Sequence, residues 1–197
     1  MTDPAAVSAQ SADARTGAWR YLLPFVIFIA LVAVFSLTLW KIREHRLNIE
    51  EIKSPLIGRA APIFDLPSLT NPAQRVGNAA LRGHPYLLNV WGTWCQECRA
   101  EHGTLLELAK SGQVPLVGLD WKDDSSLAQS YLVGLGNPYT AVANDADGRV
   151  AIDWGVYGAP ETFLVSADGI VLAKHIGAMT LDVWRQDFAP KIAGSRP

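Results

Sequence analysis

Two cysteines, the only ones in the chain, fall in one pentapeptide, Trp94-Cys95-Gln96-Glu97-Cys98. A hydrophobic stretch ending in Asn89-Val90-Trp91 leads into them, and a helix-like run from Arg99 to Lys110 follows. A Cys-x-x-Cys pair at a strand-to-helix turn suits thiol–disulfide exchange. Free N–H groups and the positive helix end favour a thiolate at Cys95, which this layout leaves accessible. Cys98, one turn further in, is close enough to close an internal disulfide.

Other chemistries for the pair fit less well. A structural zinc site needs four ligands. Of His45, His84, His102 and His175, only His102 shares a helix side with Cys98, so three ligands are the most this segment offers. A haem attachment site needs His directly after the second cysteine, where Arg99 stands. A purely structural bridge between such close residues closes a tiny loop with little entropic gain. Redox exchange is the reading the residues support, and it calls for no metal and no organic cofactor.

The carboxylates Glu97, Glu101, Glu161 and Asp120 are candidates for proton handling. Glu101 lies three residues after Cys98 on one helix face, which points it behind the cysteine pair. A buried carboxylate there would relay the proton leaving Cys98 and raise the cysteine pKa. Trp91 and Trp94 read as core or rim aromatics, with Trp94 beside Cys95 placed to shield the site. Gly158-Ala159-Pro160-Glu161-Thr162 precedes an expected strand. Pro160 either marks a strand edge or forms a cis Ala159–Pro160 bond that sets backbone beside the cysteines. Spacing alone leaves both open.

These residues need elements to position them. Pro55, Pro62 and Pro67 exclude a long helix, and Ile63 to Leu66 with Val76 predicts a short hairpin across Asn71-Pro72. Leu88 to Trp91, preceded by Pro85-Tyr86-Leu87, reads as a buried strand. The helix Arg99–Lys110 carries Leu105, Leu106 and Leu108 at helical spacing and stops at Ser111-Gly112. Val114 to Leu119 is the next strand, giving a parallel crossover unit. Asp124-Ser125-Ser126 caps a helix ending near Leu135, and Tyr139 to Ala143 predicts a strand before the Asp145–Gly148 turn. Thr162 to Val165 and Ile170 to Lys174 flank Ala167-Asp168-Gly169, a hairpin signal. An amphipathic helix over about Thr180–Ala189 closes the domain. This element order is that of a thioredoxin fold, α/β with a mixed central sheet and flanking helices.

Upstream, Tyr21 to Trp40 is an apolar run of about 20 residues, the length that crosses a roughly 30 Å hydrocarbon core. Ser36 and Thr38 are its polar members, Pro24 sits in the first turn, and Trp19, Tyr21 and Trp40 flank it. A cleaved signal has a shorter apolar core, about 7–15 residues, and ends at small residues. Leu39-Trp40-Lys41-Ile42-Arg43 offers no such site, so an uncleaved anchor is the expectation. The expected organisation is a disordered cytoplasmic tail (1–18), a transmembrane helix (19–42), a tether (43–54) and a thioredoxin-like domain on the outer side of the membrane (55–192). Arg15 and Arg20 before the span against Lys41, Arg43, Arg46 and Lys53 after it would, on a simple count, keep the domain inside. Long domains translocate largely regardless of such charge, and the redox chemistry belongs outside. A net charge of −2 with no basic stripe excludes nucleic acid as an expected partner.

The segment Leu87-Leu88-Asn89-Val90-Trp91 with Trp94-Cys95 and Cys98-Arg99-Ala100-Glu101-His102 is similar to the active-site segment of the CcmG/DsbE family. These are membrane-anchored, thioredoxin-like thiol:disulfide interchange proteins of bacterial cytochrome c maturation. Ser54 to Gly58 with Ala61-Pro62, Gly136-Asn137-Pro138-Tyr139 and Asp153 to Phe163, including Gly155-Val156-Tyr157-Gly158-Ala159-Pro160-Glu161-Thr162, resemble its other segments. The resemblance implies a periplasmic domain of the bacterial inner membrane, a cis Pro160 and an acidic surround to which Glu101 and Glu161 contribute. Tyr157 and Ala159 fall in that surround. It further implies apocytochrome c or a maturation protein as client, and a membrane electron donor for re-reduction. Gln96-Glu97 departs from the proline many relatives carry between the cysteines, and the extra acid should raise the Cys95 pKa. A reductant for another periplasmic client, such as a copper-site assembly protein, or a redox-silent apocytochrome-holding chaperone are the competing expectations.

Overall fold

A computed structural model of the chain describes residues 16–44 and 54–193. They fall in two compact units, one containing α1 and one containing the globular fold. The expected tail (1–18) and tether (43–54) lie almost entirely outside the described residues.

Helix α1 spans Thr16–Glu44 with Pro24 inside it. Every described side chain from Leu22 to Thr38 is exposed, and the Thr38 hydroxyl donates back to the Val34 carbonyl at 2.7 Å. Among the described residues no helix is long and apolar enough to cross a membrane.

The globular unit begins with a small hairpin in which β1 (Asp65–Pro67) pairs antiparallel with β2 (Arg75–Gly77). The expected hairpin is there, although pairing starts at Asp65. A single turn, α2 (Asn78–Leu81), follows. The main sheet contains β3 (Tyr86–Trp91), β4 (Leu116–Trp121), β5 (Ala141–Asp145), β6 (Glu161–Val165) and β7 (Val171–Ile176) in the order β5-β4-β3-β6-β7. Pairs β3/β4 and β4/β5 are parallel, while β3/β6 and β6/β7 are antiparallel. Helices α3 (Gln96–Ser111) and α4 (Ser125–Leu135) make the parallel crossovers, as helices must where strands run the same way. A five-residue helix, α5 (Arg149–Asp153), precedes β6.

Alternation along each strand divides the core. Leu87, Trp91, Leu116, Val142 and Leu164 pack with Cys95, Cys98, Leu105 and Leu108 on one face. Leu88, Val90, Val117, Leu119, Phe163 and Val165 pack with Trp154 and Phe64 on the other. Trp91 stacks on Tyr139 with ring centroids 5.7 Å apart. Gly118 permits that stack, because a Cβ there would fall 2.8 Å from the Trp91 indole nitrogen and 3.1 Å from the Tyr139 ring.

Several boundaries shift from the sequence expectation. Helix α3 starts at Gln96 because Cys95 itself is its N-cap. The strand expected from Val114 begins at Leu116, with Pro115 reduced to accepting the Leu87 N–H through its carbonyl. The single C-terminal helix is a composite of α6 (Leu181–Val183), a π-helical turn (Trp184–Phe188) and α7 (Ala189–Ala193). Pro190 supplies the reason: it has no N–H and would crowd the carbonyl four residues back, so the helix widens.

Candidate active site

Cys95 and Cys98 form a disulfide with Cα atoms 5.3 Å apart. Strand β3 delivers the chain, through the turn Gly92-Thr93-Trp94, to Cys95, whose backbone is extended. Cys95 Sγ accepts the Cys98 N–H at 3.0 Å, the bond an N-cap side chain makes to a free amide of the first turn. In the reduced state the same N–H and the helix dipole would stabilise a thiolate on Cys95. Cys95 is 6% and Cys98 4% exposed. The accessibility difference expected between them is therefore slight in the disulfide form. Gln96 and Glu97 are exposed on the first turn of α3.

Two ties fasten that turn to the loop after β4. Asp123 accepts both the Thr93 N–H and the Thr93 hydroxyl, the latter at 2.7 Å. The Trp94 indole N–H donates to the Trp121 carbonyl at 3.2 Å, and the two indoles meet edge to face. Trp94 is 53% exposed and folds back over Gly92, where a Cβ would meet its ring at 2.5 Å. Trp91, by contrast, is a core residue.

Behind the disulfide lies a buried polar chain. Tyr139 donates its hydroxyl to Asn89 Oδ1 at 2.7 Å, and Asn89 Nδ2 donates to Glu101 Oε1 at 2.9 Å and to Thr162 Oγ1 at 3.0 Å. Glu101 Oε2 accepts the Met179 N–H at 2.6 Å. Burial outweighs these two donors and raises the Glu101 pKa to about 7. Tyr139 is pushed well above 10, again chiefly by burial. Asp120, on the same sheet face at the end of β4, is fully buried, and neither of its oxygens meets an N–H or hydroxyl donor. Burial, followed by the charges of Asp123, Asp124 and Asp145, raises it to about 8.

The segment before β6 arrives from the other side. Ala159–Pro160 is cis, as the family resemblance implied, and Ala159 packs against the cluster that contains both cysteines. Pro160 is buried, and its carbonyl accepts the Gly177 N–H at 2.9 Å. Tyr157 is exposed. Its N–H donates to Glu161 Oε1 at 3.2 Å, while Glu161 Oε2 is 2.8 Å from Lys174 Nζ.

Glu101 and Glu161 therefore occupy different settings. Glu101 sits on the cysteine face, whereas Glu161 shares the opposite face with Phe163 and is ion-paired. His102 is turned away from the sulfurs: its Nε2 contacts the Gly136 carbonyl at 2.9 Å and its ring meets Tyr131 edge-on.

Spacing and motif single out Cys95, Cys98, Trp94, Glu101 and Glu161; the partners that the fold brings to them, Asn89, Tyr139, Asp123 and Lys174, are not marked by either. Asn89 carried a usable signal, since one amide inside an apolar strand must find buried partners.

The comparisons with known proteins agree with this geometry. The Redoxin family profile matches residues 56–188. The chain is 47% identical over 170 residues to the thiol:disulfide interchange protein DsbE of Pseudomonas aeruginosa, covering 86% of this chain and 90% of that one. Identity to the DsbE of Escherichia coli is 42% over 172 residues, covering 86% and 91%. A secreted Mycobacterium tuberculosis disulfide oxidoreductase, described as homologous to E. coli DsbE, superposes with a TM-score of 0.55 at 26% identity, covering 66% of this chain and 95% of that structure. With a helix-capping cysteine bridged to its neighbour one turn on, on a thioredoxin-type sheet, and with relatives this close over most of its length, the chain belongs to the DsbE family of thiol:disulfide interchange proteins and is a thiol:disulfide oxidoreductase.

Proposed function

We propose that the protein is a periplasmic dithiol reductant for c-type cytochrome assembly. Reduced Cys95, as thiolate, attacks a disulfide of apocytochrome c or of a maturation partner. The client S–S bond breaks, a mixed disulfide to Cys95 forms, and the first client sulfur leaves as a thiolate that takes up a proton. Cys98 then gives up its proton and attacks the Cys95 sulfur, releasing the second client thiol and closing Cys95–Cys98. Two electrons pass to the client, and a membrane dithiol donor returns them. Glu101, one turn beyond Cys98 and titrating near neutrality, is the group suited to accept the Cys98 proton. Trp94, Gln96, Glu97, Tyr157 and Ala159 form the rim on which the client chain lies, with Pro160 and Glu161 buried beneath it.

The apolar run Tyr21–Trp40 supports an inner-membrane anchor, with residues 1–18 cytoplasmic, 19–42 spanning, 43–54 a tether and 55–192 periplasmic. Anchoring raises the effective concentration at membrane-bound maturation partners.

The observation that carries the chemistry is the Cys98 N–H on Cys95 Sγ at 3.0 Å at the start of α3. It supports Cys95 as the attacking sulfur and Cys98 as the resolving one. Expression of the full chain with Cys98→Ser in its host tests the client. Capture of apocytochrome c or a maturation protein in a reducible adduct is the expected outcome. Cytochrome assembly that survives replacement of both cysteines would overturn the reductant role.

A further inference from the structure

We infer that Lys174 is a positioning residue for the extended client chain, acting through the Tyr157–Pro160 segment. The inference deepens the reading of Cys95 as the attacking sulfur and rests on it.

Lys174 lies on β7, the edge strand of the main sheet, opposite Phe163 in register. A lysine on such an edge normally extends into water, yet this side chain is only 6% exposed. Its ammonium meets four groups. Glu161 Oε2 is an ion-pair partner at 2.8 Å, off the direction of a hydrogen bond. The Gly155 carbonyl accepts from Nζ at 2.9 Å. The Tyr157 and Phe163 rings lie 5.0 and 5.1 Å away, within cation–π range.

Two of these partners belong to the segment leading to the cis Ala159–Pro160 bond, and a third, Glu161, follows that bond directly. Glu161 also accepts the Tyr157 N–H. Lys174 thus ties both ends of the 155–161 segment to one point. Tyr157, although exposed, is held by its backbone through Glu161 and by its ring through Nζ.

The arrangement has a chemical consequence. Burying Glu161 without a cation is costly, so loss of the ammonium leaves an uncompensated carboxylate that turns toward other donors or water. That reorientation releases the Tyr157 N–H and shifts the rim beside the disulfide. The partner that feels this is an extended peptide disulfide, whose main chain runs along that rim. The attack of Cys95 on a sulfur once bound does not itself use Lys174.

The test uses the full chain in detergent, pre-reduced, in single turnovers with an oxidised peptide carrying two cysteines two residues apart. Electrons pass from the enzyme dithiol to the peptide disulfide. For Lys174→Met the half-saturating peptide concentration is expected to rise about tenfold, with the maximal rate within twofold of wild type. Amide hydrogen exchange at Tyr157 should accelerate at least tenfold. Lys174→Arg, which keeps the charge, should recover most of the affinity, and Arg185→Ala, which removes an exposed pair with Asp182, should change neither quantity.

If Lys174→Met does not fold, the double variant Glu161→Gln/Lys174→Met removes both buried charges and is expected to show the same loss of affinity. Unchanged saturation in a folded variant overturns the inference, as does an equal loss of maximal rate and affinity that Arg does not restore. Failure of the wild type to reduce the peptide would instead bring down the reading of Cys95.

Discussion

Asn89 donates to Glu101 across a fully buried 2.9 Å hydrogen bond, linking strand β3 to the helix that carries both cysteines. The amide also accepts from Tyr139 and donates to Thr162, so one side chain ties together β3, α3, β6 and the approach to β5. Its replacement leaves several buried groups without partners. Asn89→Ala is expected to destabilise the disulfide form by about 2–3 kcal/mol, measured by urea unfolding. A loss under 0.5 kcal/mol would mean that the chain of bonds contributes little.

Glu101 makes stability depend on pH in a direction fixed by its shift. Its folded pKa of about 7 exceeds the ordinary carboxylate value of 4.5, so the folded protein holds the proton more tightly than the unfolded chain. The favourable contribution is complete below 4.5 and disappears as pH rises through 7. The stability difference between wild type and Glu101→Gln should move against the wild type by on the order of 2 kcal/mol between pH 4.5 and 7.5. A pH-independent difference would contradict the assignment.

The same carboxylate should govern resolution. In Glu101→Gln, mixed-disulfide release by Cys98 is expected to slow by roughly 10²-fold at pH 7, with formation of the adduct changed far less. Stopped-flow measurement of the two phases separates them. Equal slowing of both would point to a general disturbance of the site.

Asp120 behaves in parallel, with a larger displacement from 3.8 to about 8. Its proton is bound more tightly in the folded state, so stability falls from about pH 4 up through 8. Asp120→Asn keeps the shape without the ionisation and should be the more stable protein at pH 8.5, by about 2 kcal/mol or more. The advantage should shrink towards pH 4. Denaturant titration at the two pH values checks it, and a variant less stable at both would refute the expectation.

Asp123 holds the turn before Cys95 through Thr93. Asp123→Ala removes two charge-assisted bonds and is expected to cost about 1–3 kcal/mol and to speed amide exchange at Thr93. Unchanged protection there would show that the Trp94–Trp121 contact alone suffices.

Much of this molecule was legible because its signals are local. The crossover β3–α3–β4, the Asp124 cap and the hairpin around Asp168-Gly169 follow from apolar runs and turn residues close together in sequence. The cysteine pair is read in one pentapeptide. Glu101 was found because its relation to Cys98 is a helical spacing. What escaped is long-range: Asn89 to Thr162, Glu101 to Met179, Thr93 to Asp123 and Glu161 to Lys174 are partnerships that only the folded sheet brings together. Pro160 lay between these cases, since spacing left its isomer open while the family resemblance implied cis.

The proposed chemistry requires Cys95 to be the sulfur that attacks. Incubation of Cys98→Ser and of Cys95→Ser with an oxidised peptide, followed by mass spectrometry of the intact chains, tests that directly. A stable mixed disulfide on Cys95 is expected in the first variant, and at most slow adduct formation in the second. A dominant adduct on Cys98, or none on Cys95, would contradict it.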